Sequence, residues 1–372
     1  MRFLPAITCF LATLTVSAQE YYLFVGTYTT GKSKGIYVYK FNSNNGELQW
    51  ISNTDSSANP SFLATAPNGK YLYAVNETGR DQPGRVSAYS FDKKEGKLSL
   101  LNQQLSGGDD PCFVTTDQSG KWVIVGNYSG GNLSAFPVNK DGSLAPYSQL
   151  IQHKGSGANK QRQEKAHVHS TFFSPDYRHV LTPDLGMDKV MIYAFDPSQK
   201  RPLSPAATPY AASTPGSGPR HLAFHPNRKY AYLIEELTGT VRAFNYNRGM
   251  LNSFQTIATH PDSYKGQPGS ADIHVSPDGK FLYASNRGDE NNIAIFSIDP
   301  ANGRLTSVGY QPVPGATPRN FMIDPTGKYL LVANQKTSNI VIYRRDMKTG
   351  LLQPTLQQVD VPNPVCLQML PK

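Results

Sequence analysis

PRHLAFHPNRKYAYLIEEL, residues 219–237, reads as a β-hairpin. An apolar stretch at 221–224 runs into a Pro/Asn turn at 225–229, and a second stretch rich in Tyr, Leu and Ile, 230–234, leaves it. Antiparallel pairing about that turn brings Arg220 and Glu236 to the same open end, a cation beside a carboxylate.

The same pattern occurs six times along the chain. Its first and last residues are Pro60 and Asn76, Pro111 and Asn127, Val168 and Asp184, Pro219 and Glu235, Ser270 and Asn286, and Pro318 and Asn334, each pair 16 apart. A repeat of about 50 residues signals a propeller or a solenoid. After each hairpin a polar loop leads to a third strand with alternating aromatics, as at 86–91, 190–195 and 340–343. A turn of the Asp/Asn-x-x-x-Gly-x-Leu type follows, as at 92–98 and 299–305, and then an outer strand. Four strands per repeat make a propeller blade.

The N-terminus supplies a seventh copy, 21–26, 35–41 and 48–50, that lacks its inner strand, and residues 363–369 repeat the opening found at 59–63. The fold class is therefore all-β: a seven-bladed β-propeller of four antiparallel strands per blade, its ring closed by N- and C-terminal strands that share one blade. A linear solenoid would need capping repeats, and none is visible.

Composition agrees with this architecture. The 372 residues are 38% hydrophobic, enough for a sizeable core, and 31 Gly with 28 Pro punctuate the chain too often for long helices. The opening MRFLPAITCFLATLTVSA has one basic residue, an apolar run at 3–16 and a small-residue Val16-Ser17-Ala18 site. It reads as a signal peptide, residues 1–18, leaving 19–372 as a single propeller domain in the periplasm or secreted. The run is too short to span a bilayer, no later segment qualifies, and Cys9 lacks a lipoprotein context, so no membrane association is expected after cleavage.

The formal net charge of +9, or +8 without Arg2, is dispersed over turns such as Asp92-Lys93-Lys94 and Asn227-Arg228-Lys229. With no continuous basic stripe, nucleic acid is not an expected partner, and small anionic ligands are. Cys112 and Cys366 read as buried free thiols, although an oxidising compartment would permit pairing. A monomer or weak homodimer is expected.

Two motifs mislead. Residues 26–33, GTYTTGKS, satisfy the Walker A pattern, but a phosphate cradle needs a helix to begin at its Lys-Ser, and the segment 35–41 reads as a strand. The overlapping GKSKG at 31–35 matches a nucleophile elbow without the strand-to-helix context, so Ser33 reads as a loop serine. Asn-x-Ser/Thr triplets at Asn76, Asn127 and Asn132 fall on repeat positions and require no glycan.

In a propeller the hairpin open ends gather at one mouth of the central channel. The position after each strand start is Ser61, Cys112, His169, Arg220, Ala271 and Arg319, and the position past each second strand is Glu77, Tyr128, Leu185, Glu236, Arg287 and Gln335. His169, Arg220, Glu236 and Arg287 thus come from three consecutive blades onto one arc of the mouth. They are the candidate catalytic residues, with Glu77, His221, Asn286 and Arg319 as candidate substrate-binding residues. Two guanidiniums, an imidazole and a carboxylate suit an anionic, carbonyl-bearing ligand. The plainer reading makes Arg220 and Glu236 a cross-strand ion pair and His169 a satisfied histidine. His167 and His169 are expected to face opposite sides of their strand, which argues against a shared metal, and no cofactor or metal is expected. The long polar loop 152–165 reads either as a rim loop beside the site or as plain solvated chain.

With this repeat in hand, HVHSTFFSPD at 167–176, Asp184-Leu185-Gly186, Gly218-Pro219-Arg220-His221, Glu236-Leu237 and Ser285-Asn286-Arg287-Gly288 together resemble the lactonase family. This is the propeller-type 6-phosphogluconolactonase group, related to fungal 3-carboxy-cis,cis-muconate cyclase. The resemblance covers essentially the whole chain after the leader. It implies a site at His169, Arg220, Glu236 and Arg287, no cofactor, and hydrolysis of a sugar lactone, 6-phospho-D-glucono-1,5-lactone in the named activity. Arg220 and Arg287 would then stabilise the oxyanion or hold a phosphate, His169 would act as base, and Glu236 would orient water or an arginine. The export signal sits awkwardly with a phosphorylated, cytosolic sugar, so a muconate-type lactonizing reaction and a non-catalytic binding propeller are the alternatives.

Overall fold

The computed structural model describes residues 19–55, 57–79 and 81–372, so the expected leader, 1–18, lies outside the described residues. The chain forms seven four-stranded antiparallel sheets arranged as blades. Counting blades from the first complete one, blade 7 has the strand order Pro364–Pro371, Glu20–Thr27, Tyr37–Asn42, Leu48–Asn53. Register partners such as Tyr22↔Leu370 and Val25↔Leu367 join the two ends of the chain in that one sheet, as the sequence predicts.

The hairpin that decides the fold spans Pro219–Phe224 and Tyr230–Glu235. The residues 16 apart are register partners: Pro111↔Asn127, Pro219↔Glu235, Ser270↔Asn286, Pro318↔Asn334, and Val168↔Asp184 as an isolated bridge. Second strands are continuous apolar runs because blades pack on both of their faces, and Tyr230–Glu235, Phe281–Asn286 and Tyr329–Asn334 are buried throughout. Outer strands see solvent on one face, so Leu352–Asp360 keeps alternation instead.

At three junctions a tyrosine on a second strand locks one blade to the next. These rings lie in the core between blades and their hydroxyls donate to a turn carbonyl of the following blade: Tyr73 to Gly142 (3.2 Å), Tyr232 to Gly303 (2.9 Å), Tyr283 to Gly350 (2.8 Å). Each such ring stabilises the ring of blades by roughly 2 kcal/mol of apolar burial, with its polar tip satisfied.

One feature of the register places the candidate site residues. The pairing slips between Pro111 and Phe113, Pro219 and His221, and Pro318 and Asn320, so Cys112, Arg220 and Arg319 are each the extra residue of a β-bulge. Arg220 therefore does not pair with Glu236 across the ladder, as simple symmetry about the turn implies. The bulge frees its side chain from the alternation and turns it into the channel mouth.

The segment 26–33 ends the strand Glu20–Thr27 and runs on as a loop toward Tyr37–Asn42, with no helix after it. Ser33 is bonded to Thr27 at 2.6 Å, in keeping with a loop serine. Cys112 and Cys366 are both buried and free.

Candidate active site

Six of the seven blades, all but blade 7, line one cavity of about 340 Å³ at the mouth, with Glu77, Cys112, Tyr128, Arg162, His169, Glu236, Arg287 and Arg319 on its walls. Arg220 forms part of its floor with Ser61 and Phe62. Beneath that floor Phe62 stacks on Phe113 at 4.0 Å and both meet His221 edge-on, which separates the mouth from a second space of about 430 Å³ lower in the channel.

Glu236 is the centre of the site. Its Oε2 accepts from Arg220 Nε at 2.9 Å and pairs with Arg287 Nη2 at 3.1 Å, while its Oε1 accepts from Arg162 Nη2 at 2.7 Å. Burial pushes this carboxyl upward, but Arg287, Arg220, His169 and Arg162 outweigh it and hold the group well below the usual carboxylate range. Glu236 is thus a permanent anion in a cationic nest.

His169 Nε2 stands 4.0 Å from Glu236 Oε2, beyond hydrogen-bond reach. Its Nδ1 is buried without a partner, so no backbone or carboxylate group fixes its tautomer from behind. Burial and then Arg220 push its pKa well below the ordinary 6.5, leaving a neutral imidazole at neutral pH. A neutral base beside a permanent carboxylate can share one water molecule between them.

Arg220 is almost fully buried and is fixed on every side. Its Nη1 donates to the Ala271 carbonyl at 2.6 Å and lies 3.3 Å from His221 Nε2, whose Nδ1 is 2.8 Å from Asp272 Oδ1. Since a guanidinium only donates, His221 Nε2 accepts, and its Nδ1 donates to Asp272. Burial and Arg287 lower Arg220 to about 10, which leaves it charged at neutral pH. Arg287 donates from Nε to Gly269 O at 2.9 Å and from Nη2 to Ser270 O at 3.2 Å.

The eight residues selected from the sequence do not all meet here. His169, Arg220, Glu236, Arg287, Glu77 and Arg319 converge on the cavity. His221 lines the same floor as Arg220 and also braces it from below. Asn286 is fully buried and consumed inside its blade, where Nδ2 donates to Thr259 O and Asn292 Oδ1 and Oδ1 accepts from Ser270 Oγ. It is a strut, as are its repeat equivalents Asn127, which donates to Asn132, and Asp184, which accepts from the His167 amide.

The two nearby histidines also differ from expectation. A period of two puts residues i and i+2 on one face, and both rings contact Tyr128: His167 stacks on it at 4.5 Å and His169 meets its edge at 5.5 Å. His167 is bonded to Glu164 and to the Tyr128 carbonyl. Among the described residues no group of three His, Cys, Asp or Glu side chains is placed to hold a metal ion.

Two site residues escape the repeat. Arg162 comes from the loop 152–165, which is a rim loop tied down by Gln163, whose Nε2 donates to Leu185 O and Asp188 Oδ1. Tyr28 comes from the Walker A look-alike, and its hydroxyl donates to Glu77 Oε1 at 2.9 Å.

Comparisons with known proteins agree with this geometry. A family model described as Lactonase, 7-bladed beta-propeller, matches residues 22–369. The chain is 44% identical over 352 residues to the 6-phosphogluconolactonase of Formosa agariphila, covering 93% of this chain and 99% of the relative. It is 37% identical over 353 residues to that of Bacillus subtilis, covering 94% and 99%. The solved periplasmic gluconolactonase of Pseudomonas aeruginosa superposes with a TM-score of 0.90 at 38% identity, covering 94% of this chain and 99% of that one.

Proposed function

The chain belongs to the seven-bladed β-propeller lactonase family, and from that premise we propose that it hydrolyses the ring ester of a sugar δ-lactone. The two members to test are 6-phospho-D-glucono-1,5-lactone and its unphosphorylated counterpart. The observation that carries the reading is the neutral His169 set 4.0 Å from a carboxylate that three arginines keep ionised.

A water bridging His169 and Glu236 is oriented by the carboxylate and gives its proton to the imidazole as its oxygen attacks the lactone carbonyl carbon. The carbonyl oxygen gains the electron pair and faces the remaining N–H groups of Arg287 and Arg220, whose positions are fixed before the charge develops. Collapse of the tetrahedral adduct breaks the ring C–O bond, and the departing alkoxide takes the proton back from His169. The new carboxyl group loses its proton to solvent, and the open hydroxy acid leaves as an anion. No covalent serine or cysteine step enters, and burial raises the Cys112 thiol far above neutrality.

Export to the periplasm or beyond is part of the same proposal. It rests on the leader-like residues 1–18 and on the periplasmic relative from Pseudomonas aeruginosa. The muconate-type and binding-only alternatives gain nothing from these relatives.

The test is a pH-stat assay of the protein starting at residue 19 on both lactones. Turnover above the buffer rate that falls at least about a hundredfold in Glu236→Gln or Arg287→Ala supports the reading. Hydrolysis unaffected by either substitution removes the site, and no hydrolysis of any lactone removes the activity.

A further inference from the structure

The cavity has a second wall that the hydrolytic groups do not use. Three of its four guanidiniums, those of Arg162, Arg220 and Arg287, are bonded to Glu236 at 2.7–3.1 Å. Arg319 differs: among the described residues it makes no ion pair and no hydrogen bond, and its guanidinium lies 5.5 Å from the centre of the Tyr28 ring. The Tyr28 hydroxyl donates to Glu77 Oε1 at 2.9 Å, while Glu77 Oε2 and the neighbouring Ser61 hydroxyl are buried without partners.

Opposite charges sharing a buried cavity normally close on each other, as the Glu236 cluster does. Glu77 and Arg319 do not, because one tyrosine holds both, the cation against its ring and the carboxylate on its hydroxyl. Burial pushes the Glu77 carboxyl upward against the opposing pull of Arg319, Ser61 and Tyr28, and the wall presents a buried carboxyl oxygen with free lone pairs beside N–H groups that can only donate.

Resting on the lactonase reading, we propose that Glu77, Arg319 and Tyr28 form a subsite that recognises a pair of adjacent hydroxyls on the lactone ring. One hydroxyl donates to Glu77 Oε2, and the oxygen of its neighbour accepts from Arg319. Each alcohol thus meets the group complementary to it. An unsubstituted alkyl lactone suits this wall poorly, since both groups stay desolvated and unpaired. A site built around substrate hydroxyls rejects analogues lacking them far more strongly than a site built around methylenes. The sugar lactone then lies with its ester at Glu236 and His169 and its vicinal diol at Glu77 and Arg319.

The experiment measures kcat/KM for D-glucono-1,5-lactone and for δ-valerolactone, and binding of the matching non-hydrolysable lactams by calorimetry. The wild-type protein should prefer the hydroxylated lactone by at least about a hundredfold. That ratio should collapse toward unity in Glu77→Ala and Arg319→Met, and in part in Tyr28→Phe, which keeps the ring under Arg319 and is the least disruptive to folding. A ratio retained in all three variants, whatever the absolute rates, overturns the subsite. Should neither lactone be turned over, the lactonase reading fails by itself, and the lactams still decide the subsite. Gluconolactam binding that weakens at least tenfold in Glu77→Ala upholds it, and gluconolactam binding no tighter than valerolactam overturns it.

Discussion

Arg162 Nη2 lies 2.7 Å from Glu236 Oε1 across 74 residues of chain, which makes the rim loop a structural partner of the central carboxylate. The loop closes one side of the site with a charge that is still 45% exposed. Arg162→Ala should lower kcat/KM by roughly ten- to a hundredfold, the range of a charge-assisted hydrogen bond of about 1.5–3 kcal/mol. The melting curve should stay in place, because little apolar surface is lost. An unchanged rate would make the loop a bystander.

Arg220 and Arg287 share a carboxylate but not an environment, with side chains 2% and 17% exposed. Removing Arg220 leaves both Glu236 and the Ala271 carbonyl short of a donor in the interior, so Arg220→Ala should destabilise by about 3–5 kcal/mol in urea unfolding. Arg287→Ala should cost clearly less stability while still losing most activity. Equal destabilisation would mean that the two guanidiniums are interchangeable struts.

His221 acts through Arg220. His221→Phe fills the same space among Phe62, Phe113 and Phe172 but removes the acceptor 3.3 Å from Arg220 Nη1. A roughly tenfold fall in kcat with little change in KM is expected, and His221→Gln should recover part of it by restoring an acceptor. A loss confined to KM would return His221 to direct substrate contact.

Acid should weaken both activity and fold. Burial and Arg220 hold His169 below 6.5, and burial and Arg220 lower His221 to about 4, so folded protein keeps both rings neutral where unfolded chain protonates them. In that window the unfolded state binds more protons, and stability falls as pH drops from 6.5 towards 4. Glu236 adds to the loss below its ordinary 4.5, because its folded pKa is depressed by Arg287 and Arg220 against the upward push of burial. Activity should be level from pH 8 to 6.5 and show its acid limb below that. A urea midpoint that rises on acidification through this window would contradict the neutral imidazoles.

The thiols offer an independent check on the interior. Burial raises both Cys112 and Cys366 far above the ordinary 9. Neither should react with a thiol reagent in native protein, and both should react after unfolding. Fast labelling of either would show that its blade opens.

Much of this was legible in the sequence because a propeller repeats one decision. The spacing of 16 between Pro219 and Glu235, found again at Ser270 and Asn286, names register partners directly. From register alone His169, Arg220, Glu236 and Arg287 fall on one rim. What the repeat cannot express it also cannot predict. Arg162 lies in an insertion with no counterpart in other blades, and Tyr28 sits in a loop whose letters resemble a phosphate motif. Asn286 was misplaced because its conspicuous neighbour Arg287 does face the cavity, whereas position 286 ends a second strand, where the recurring polar residue secures the blade. That His221 also braces Arg220 could not be read, because the bulge at Arg220 is invisible in the sequence.

Blade 7 has a temporal side. Glu20–Thr27 is made first, yet its inner neighbour, Pro364–Pro371, is made last. Six blades can pair from local hairpins as they emerge, but the circle stays open until Pro364–Pro371 arrives. Any chain crossing a membrane in extended form must complete its passage before its first strand is flanked on both sides. Loss of those few C-terminal residues would strand the opposite end of the molecule with a bare edge.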